Sequence, residues 1–102
     1  MPRFKDFIPQ GVIPATLLPF MDDLSIDQTA MRRHLRDVTN VKGITAITVN
    51  GHASEVHACE TDEQRRVLDI TMDEIGDQVP VINGIYADGS LEAAKFARMS
   101  EF

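Results

Sequence analysis

The stretch from Asn50 to Cys59 gathers two imidazoles, a carboxylate, a hydroxyl and the only thiol of the chain: Asn50, Gly51, His52, Ala53, Ser54, Glu55, Val56, His57, Ala58, Cys59. Imidazole titrates near neutrality, and a neighbouring carboxylate fixes its tautomer, so His52 and Glu55 have the types of an acid–base pair; the plainer reading is that both are solvated loop residues or interface contacts. Glycine followed by small residues lets backbone amides approach an anion such as a carboxylate without obstruction. His52, His57 and Cys59 match neither the zinc-finger nor the HExxH spacing, and no metal is expected. Cys59 has no disulfide partner in the sequence, which agrees with a reducing compartment and an inert thiol. His34, beside Arg33 on a helical stretch, reads as a surface residue. Asp22 and Asp23 read as water-binding or capping groups. No GxGxxG, P-loop or GxSxG occurs, and no cofactor is expected.

The elements that hold this loop follow from apolar periodicity. Val12 to Leu18, between Gly11 and Pro19, suits a strand buried on both faces, although Pro14 cannot donate a ladder hydrogen bond. Ser25 and Gln28 make a capping-box pattern ahead of Ile26, Ala30, Met31, Leu35 and Val38 at helical spacing, ending near Asn40. Ile44 to Val49 is a β-branched run stopped by Asn50-Gly51, where the turn opens a loop rather than a hairpin. Thr61 and Gln64 repeat the capping pattern. Gln64, Val67, Leu68, Thr71, Met72 and Ile75 then form one stripe before Gly76. Val79 to Ile85 reads as a third strand, entered through Pro80. Asp88-Gly89-Ser90 caps a last helix, Leu91 to Glu101, with Ala93, Ala94, Phe96 and Ala97 as its apolar side.

The order β, α, β, α, β, α with strands starting near residues 12, 44 and 79 predicts an α/β fold with parallel strands, three units of about the size that one eighth of a ~250-residue (β/α)8 barrel requires. Parallel strands need such helical crossovers. Three strands cannot close into a ring, so two backbone edges and one apolar face are expected to be uncovered. The whole sequence, 1–102, is read as the N-terminal fragment of a partial (β/α)8 TIM barrel. The absence of a Gly or Pro stop after the last helix supports truncation.

Composition removes other classes. The chain has 102 residues, 43% hydrophobic and 25% charged, as a single globular domain does. Its formal net charge of −6 repels phosphate backbones, and the short run Arg32, Arg33 and Arg36 lies beside Asp37, so nucleic acid is not expected as a partner. No window approaches the ~18 apolar residues of a membrane span, and Met1 to Gln10 lacks the apolar core of a signal peptide. A cytoplasmic protein is expected.

Gly11-Val12-Ile13-Pro14-Ala15-Thr16-Leu17-Leu18-Pro19-Phe20, Asp27 at a helix start, Gly43-Ile44 leading to Val49-Asn50-Gly51 and Glu55, Glu63-Gln64-Arg65-Arg66-Val67, and Val79-Pro80-Val81-Ile82-Asn83-Gly84 follow in an order that resembles the start of the dihydrodipicolinate synthase and N-acetylneuraminate lyase family. The resemblance implies a (β/α)8 barrel, usually a homo-oligomer, that forms or cleaves a C–C bond through a Schiff base between pyruvate, a 2-oxo acid, and a lysine. It also implies that Gly51, His52, Ala53 and Ser54, with Glu55, stand where the family's Gly-Thr-Thr-Gly-Glu loop grips the pyruvate carboxylate. Both threonines are replaced. Ala53 has no hydroxyl for the family's proton relay with a tyrosine, so His52 is the candidate substitute. The resemblance further implies that the Schiff-base lysine and its partner tyrosine belong to later strands of the barrel, beyond Phe102; Lys42 and Lys95 are expected to face away from the mouth, and Lys5 precedes the barrel, so none is a substitute. On this reading no catalytic residue of the family, other than the candidate relay His52, is in the chain, which alone is expected to be inactive. The alternative is a small α/β module that self-associates and works as a binding or structural protein without catalysis. A metal-assisted enzyme built on the loop from His52 to Cys59 is a third reading.

Overall fold

The run Ala46 to Val49 is apolar on both sides, and the fold uses both: Ala46, Ile47 and Val49 are sealed from solvent. A computed structural model describes Phe4 and residues 6–100 and sets this run at the middle of a parallel arrangement. Strand β1 (Ile47–Val49) pairs in parallel with β2 (Val81–Asn83), in the register Ile47 with Val81 and Val49 with Asn83. On its other side lies the extended segment 12–18, joined by the parallel bridges Val12 with Ile44 and Ala15 with Thr48. The Thr45 amide donates to the Val12 carbonyl, that of Thr48 to Pro14 and that of Thr16 to Thr48, at 2.9–3.0 Å. The three expected parallel runs are therefore present, in the expected neighbourhood, but shorter than their apolar stretches.

The first run departs furthest from expectation. Proline can accept a ladder hydrogen bond but not donate one, so the segment is bridged at points and forms no continuous strand. Nor is it buried on both faces: Thr16 and Leu18 turn inward, whereas Ala15 and Leu17 are exposed, the alternation of a strand with one covered side. At the other margin β2 leaves Ile82 partly exposed.

The helices are α1 (Gln28–Thr39), α2 (Thr61–Ile75) and α3 (Ser90–Met99). Both predicted capping boxes are corrected. Asp27 caps α1, its Oδ1 accepting from the Ala30 amide at 3.0 Å. Ser25 is instead captured by Asp23, donating to Oδ1 from its hydroxyl at 2.6 Å and its amide at 3.0 Å, hydrogen bonds that hold the Asp23 carboxyl below its ordinary range. At α2 the box is formed by Glu60 and Glu63, one residue earlier than predicted. Gln64 is thereby released to face inward, where it is buried. Gly89, with no side-chain cap, begins α3 in place of Ser90, and Ala97 is exposed; Glu101, its expected end, lies outside the described residues.

Helices α1 and α2 pack together over the sheet. Met31 and Leu35 from α1 and Val67, Leu68 and Ile75 from α2 meet Leu18, Ile47 and Val49 in one apolar cluster. Arg32 bridges to Asp73 at 2.8 Å and Glu74 at 3.1 Å, and Arg36 to Glu74 at 3.2 Å, across the outside of the helix pair. Large apolar side chains stay exposed at both margins, Val12, Leu17, Met21 and Leu24 on one and Ile82, Ile85 and Leu91 on the other. Among the described residues no helix is long and apolar enough to cross a membrane.

Candidate functional site

Parallel strands all leave the sheet at one end, and the loops that follow them meet there. After β1 the chain turns at Asn50, buried in the left-handed conformation at φ 55°, which a short amide side chain tolerates better than most. Its Nδ2 donates to the Gln64 carbonyl at 3.0 Å and to Asn83 Oδ1 at 2.8 Å. Asn83 Nδ2 in turn donates to Ser100 Oγ, which donates to the Phe96 carbonyl at 2.9 Å. One line of hydrogen bonds thus ties α2, both strand ends and the end of α3.

Gly84 closes the two strand ends further. Its amide donates to the Val49 carbonyl at 2.8 Å, and a Cβ at this position would stand 2.3 Å from the Asn50 carbonyl oxygen. Only glycine permits that approach. The loops after β1 and β2 therefore leave the sheet side by side.

The first of these loops is two successive 3-10 turns, His52–Ser54 and Val56–Ala58, with Glu55 between them at φ 56°. The Ser54 and Val56 amides donate to the Gly51 carbonyl and that of Glu55 to the His52 carbonyl. The amides of His52 and Ala53 begin the first turn and have no carbonyl within it to donate to. Both residues are exposed, Gly51 is half-buried, and Ser54 is buried with its hydroxyl donating to the Gly51 carbonyl at 3.0 Å. The loop therefore begins with two amides that have no partner within its first turn, on exposed residues, with Ser54 holding its shape from inside.

His52 and Glu55 do not form the expected side-chain pair. The His52 ring meets Tyr86, centroids 6.1 Å apart and planes at 70°, and His57 meets the same tyrosine at 6.3 Å and 59°. Glu55 turns elsewhere, lining a cleft of about 400 Å³ with Leu17, Leu18, Pro19, Ala30, His34 and Ala53. His34 is not the free surface residue expected: its Nε2 accepts the Leu17 amide at 3.1 Å. Neighbouring amides of an extended chain point opposite ways, so with Thr16 paired to β1, that of Leu17 faces the open margin, and the imidazole covers it. The signal for His34 was its spacing of four from both Ala30 and Val38, which sets it on the apolar stripe. Tyr86 gave no comparable signal, since its only mark is its loop after the third strand.

Burial pushes the Cys59 thiol up, and Glu63 and Glu55 add to the effect, in keeping with an inert thiol. His52, His57 and Cys59 do not come together as ligands: among the described residues no group of three His, Cys, Asp or Glu is placed to hold a metal ion. Lys42 is exposed on the turn that enters β1, at the opposite end of the strand, and Lys95 is exposed on α3, along a groove of about 530 Å³ bounded by Thr61, Leu91 and Phe96. Lys5 lies outside the described residues.

Residues 8–101 match the sequence model of the Dihydrodipicolinate synthetase family. The chain is 36% identical over 93 residues to 4-hydroxy-tetrahydrodipicolinate synthase of Salinibacter ruber, covering 91% of this chain and 30% of that protein. It is 30% identical over 91 residues to N-acetylneuraminate lyase of Clostridium perfringens, covering 89% of this chain and 32% of the lyase. Its backbone superposes with a TM-score of 0.81, at 22% identity, on a chloride-inhibited dihydrodipicolinate synthase from Acinetobacter baumannii complexed with pyruvate, over 89% of this chain and 31% of the other. The chain thus spans about a third of the length of these relatives, and its three parallel strand-and-helix units match part of their fold. With residues 8–101, nearly its whole length, matching the family's sequence model, the chain belongs to the dihydrodipicolinate synthetase family.

Proposed function

We propose that this chain is the carboxylate-gripping part of a lyase or aldolase that forms or cleaves a carbon–carbon bond beside pyruvate, held as a Schiff base on a lysine in polypeptide beyond Phe102. The observation that carries this reading is the turn at His52–Ser54, which opens the loop at the carboxyl end of the central strand with two amides free to meet one carboxylate. A carboxylate accepting two backbone N–H groups is a charge-assisted pair, stronger than a neutral one. Gly51, His52 and Ala53 supply that grip, and Ser54 fixes the turn from within.

Imine formation joins an amine to the 2-oxo carbonyl and releases water, and the departing hydroxyl needs a proton. Ala53 has none to give, so the proton passes through the His52 imidazole, the residue type best matched to transfer near neutral pH. The chain alone lacks the amine, with Lys42 and Lys95 both away from the mouth. A single cysteine, Cys59, with no disulfide partner in the sequence suits a reducing, cytoplasmic setting.

Titrating the 15N-labelled chain with pyruvate tests the grip: the amides of His52 and Ala53 are expected to move first. A response confined to other residues contradicts it. A second reading, a self-associating α/β module without catalysis, draws support from the apolar side chains exposed at both margins, which also suit a homo-oligomer of the longer protein. Sedimentation at several concentrations separates the two, a discrete compact oligomer of this chain favouring the module, and aggregation or partial unfolding the fragment.

A further inference from the structure

We propose that Tyr86 is a positioning residue for His52, resting on the role given above to the loop after β1. The grip and the imidazole belong to one residue: the His52 amide opens the 3-10 turn, so once the turn is fixed only the ring's orientation is left to set. The ring is exposed, and an exposed side chain on a three-residue turn has rotamers to choose among. Tyr86 narrows that choice. Its ring stands edge to face against His52 at 6.1 Å and, on the neighbouring turn, tilted against His57 at 6.3 Å, so one phenol braces both imidazoles.

The brace is anchored. Two residues before Tyr86, Gly84 is locked against the Asn50 carbonyl and bonded to Val49, so the loop that carries the tyrosine leaves the sheet at a fixed distance from the loop that carries the histidines. Unlike His34, whose Nε2 is occupied by the Leu17 amide, neither of these imidazoles nor the phenol hydroxyl is engaged in a hydrogen bond among the described residues. Their polar atoms are left for a ligand, and the contact between rings is what holds them.

The test is 1H NMR of the 102-residue chain and its variants, with pyruvate as the probe. The Tyr86 ring current is expected to displace the ring-proton shifts of His52 and His57, a displacement that persists in Tyr86→Phe, which keeps the ring, and collapses to free-histidine values in Tyr86→Ala. His34, packed on the opposite margin, reports whether the fold is intact; where Tyr86→Ala disturbs it, Tyr86→Leu takes its place with the same expectation. On adding pyruvate, the His52 ring signals are expected to respond in the parent and in Tyr86→Phe, and to lose that response in Tyr86→Ala while the His52 and Ala53 amides still move. An unchanged ring response in Tyr86→Ala, or undisplaced histidine shifts in the parent chain, overturns the proposal. Silent amides in every variant would instead refute the carboxylate grip, leaving the displaced shifts to decide the role of Tyr86.

Discussion

Ile47 and Ile82 sit on paired strands one register step apart, yet Ile47 is fully buried and Ile82 is 37% exposed. The residue type is the same, and the neighbours differ. Among the described residues, strand β1 has a partner on each side and two helices above it, whereas β2 has a partner on one side only and a single buried anchor from α3, Phe96. The first segment repeats the pattern at the other margin, with Val12 and Leu17 open to solvent. Burial in this arc is thus set by position in the sheet more than by hydrophobicity, and the margins carry the residues of an interior in the environment of a surface.

Truncating both isoleucines should separate centre from margin most clearly. Ile47→Ala is expected to cost about 2–5 kcal/mol, the range for a large aliphatic in a closed core. A domain of this size has only about 5–10 kcal/mol in hand, so the urea midpoint followed by far-UV circular dichroism is expected to fall by roughly half. Ile82→Ala is expected to cost less than about 1 kcal/mol. Equal losses would mean that centre and margin are equally packed.

Gly84→Ala tests the joint between them. The added methyl group meets backbone at 2.3 Å, which cannot swing aside as a side chain can, and a loss of about 1–3 kcal/mol is expected, with shifts of the Asn50 and Gly51 amides in the same NMR spectrum. A silent substitution would show that the two loops are not pressed together.

An effect as small as that of Ile82→Ala is expected at the outer helix pair. Hydrogen bonds from Arg32 and then Arg36 hold the Glu74 carboxyl below its ordinary pKa, so its contribution is present above the unfolded value, near 4.5, and is lost as pH falls through the lower folded value. Glu74→Gln is expected to cost no more than about 1 kcal/mol at neutral pH. The difference from the parent should close in acid and shrink in 1 M salt. A difference that survives both would point to packing rather than charge.

Much of this was legible from the residues. The β-branched run at Ile44 to Val49, the stripe from Gln64 to Ile75 and the alternation of strand and helix gave the parallel arc, because burial periodicity is a local property. The caps fall on Asp27 and Glu60, while Ser25 and Gln64 take other partners, Asp23 and the Cys59 carbonyl, whose approach depends on chain geometry. At the site, the Gly51–Glu55 loop could be read from glycine and small residues. The contact between His52 and Tyr86 could not, since it depends on how closely Gly84 lets two strand ends approach.

On the proposed function, the open arc of three strand-and-helix units carries the carboxylate grip, and the amine lies elsewhere. Treatment of the 102-residue chain with pyruvate and borohydride, read by intact mass, separates the two. The chain is expected to stay unmodified under conditions that trap a full-length relative; a stable reduced adduct on one of its lysines would overturn the proposal.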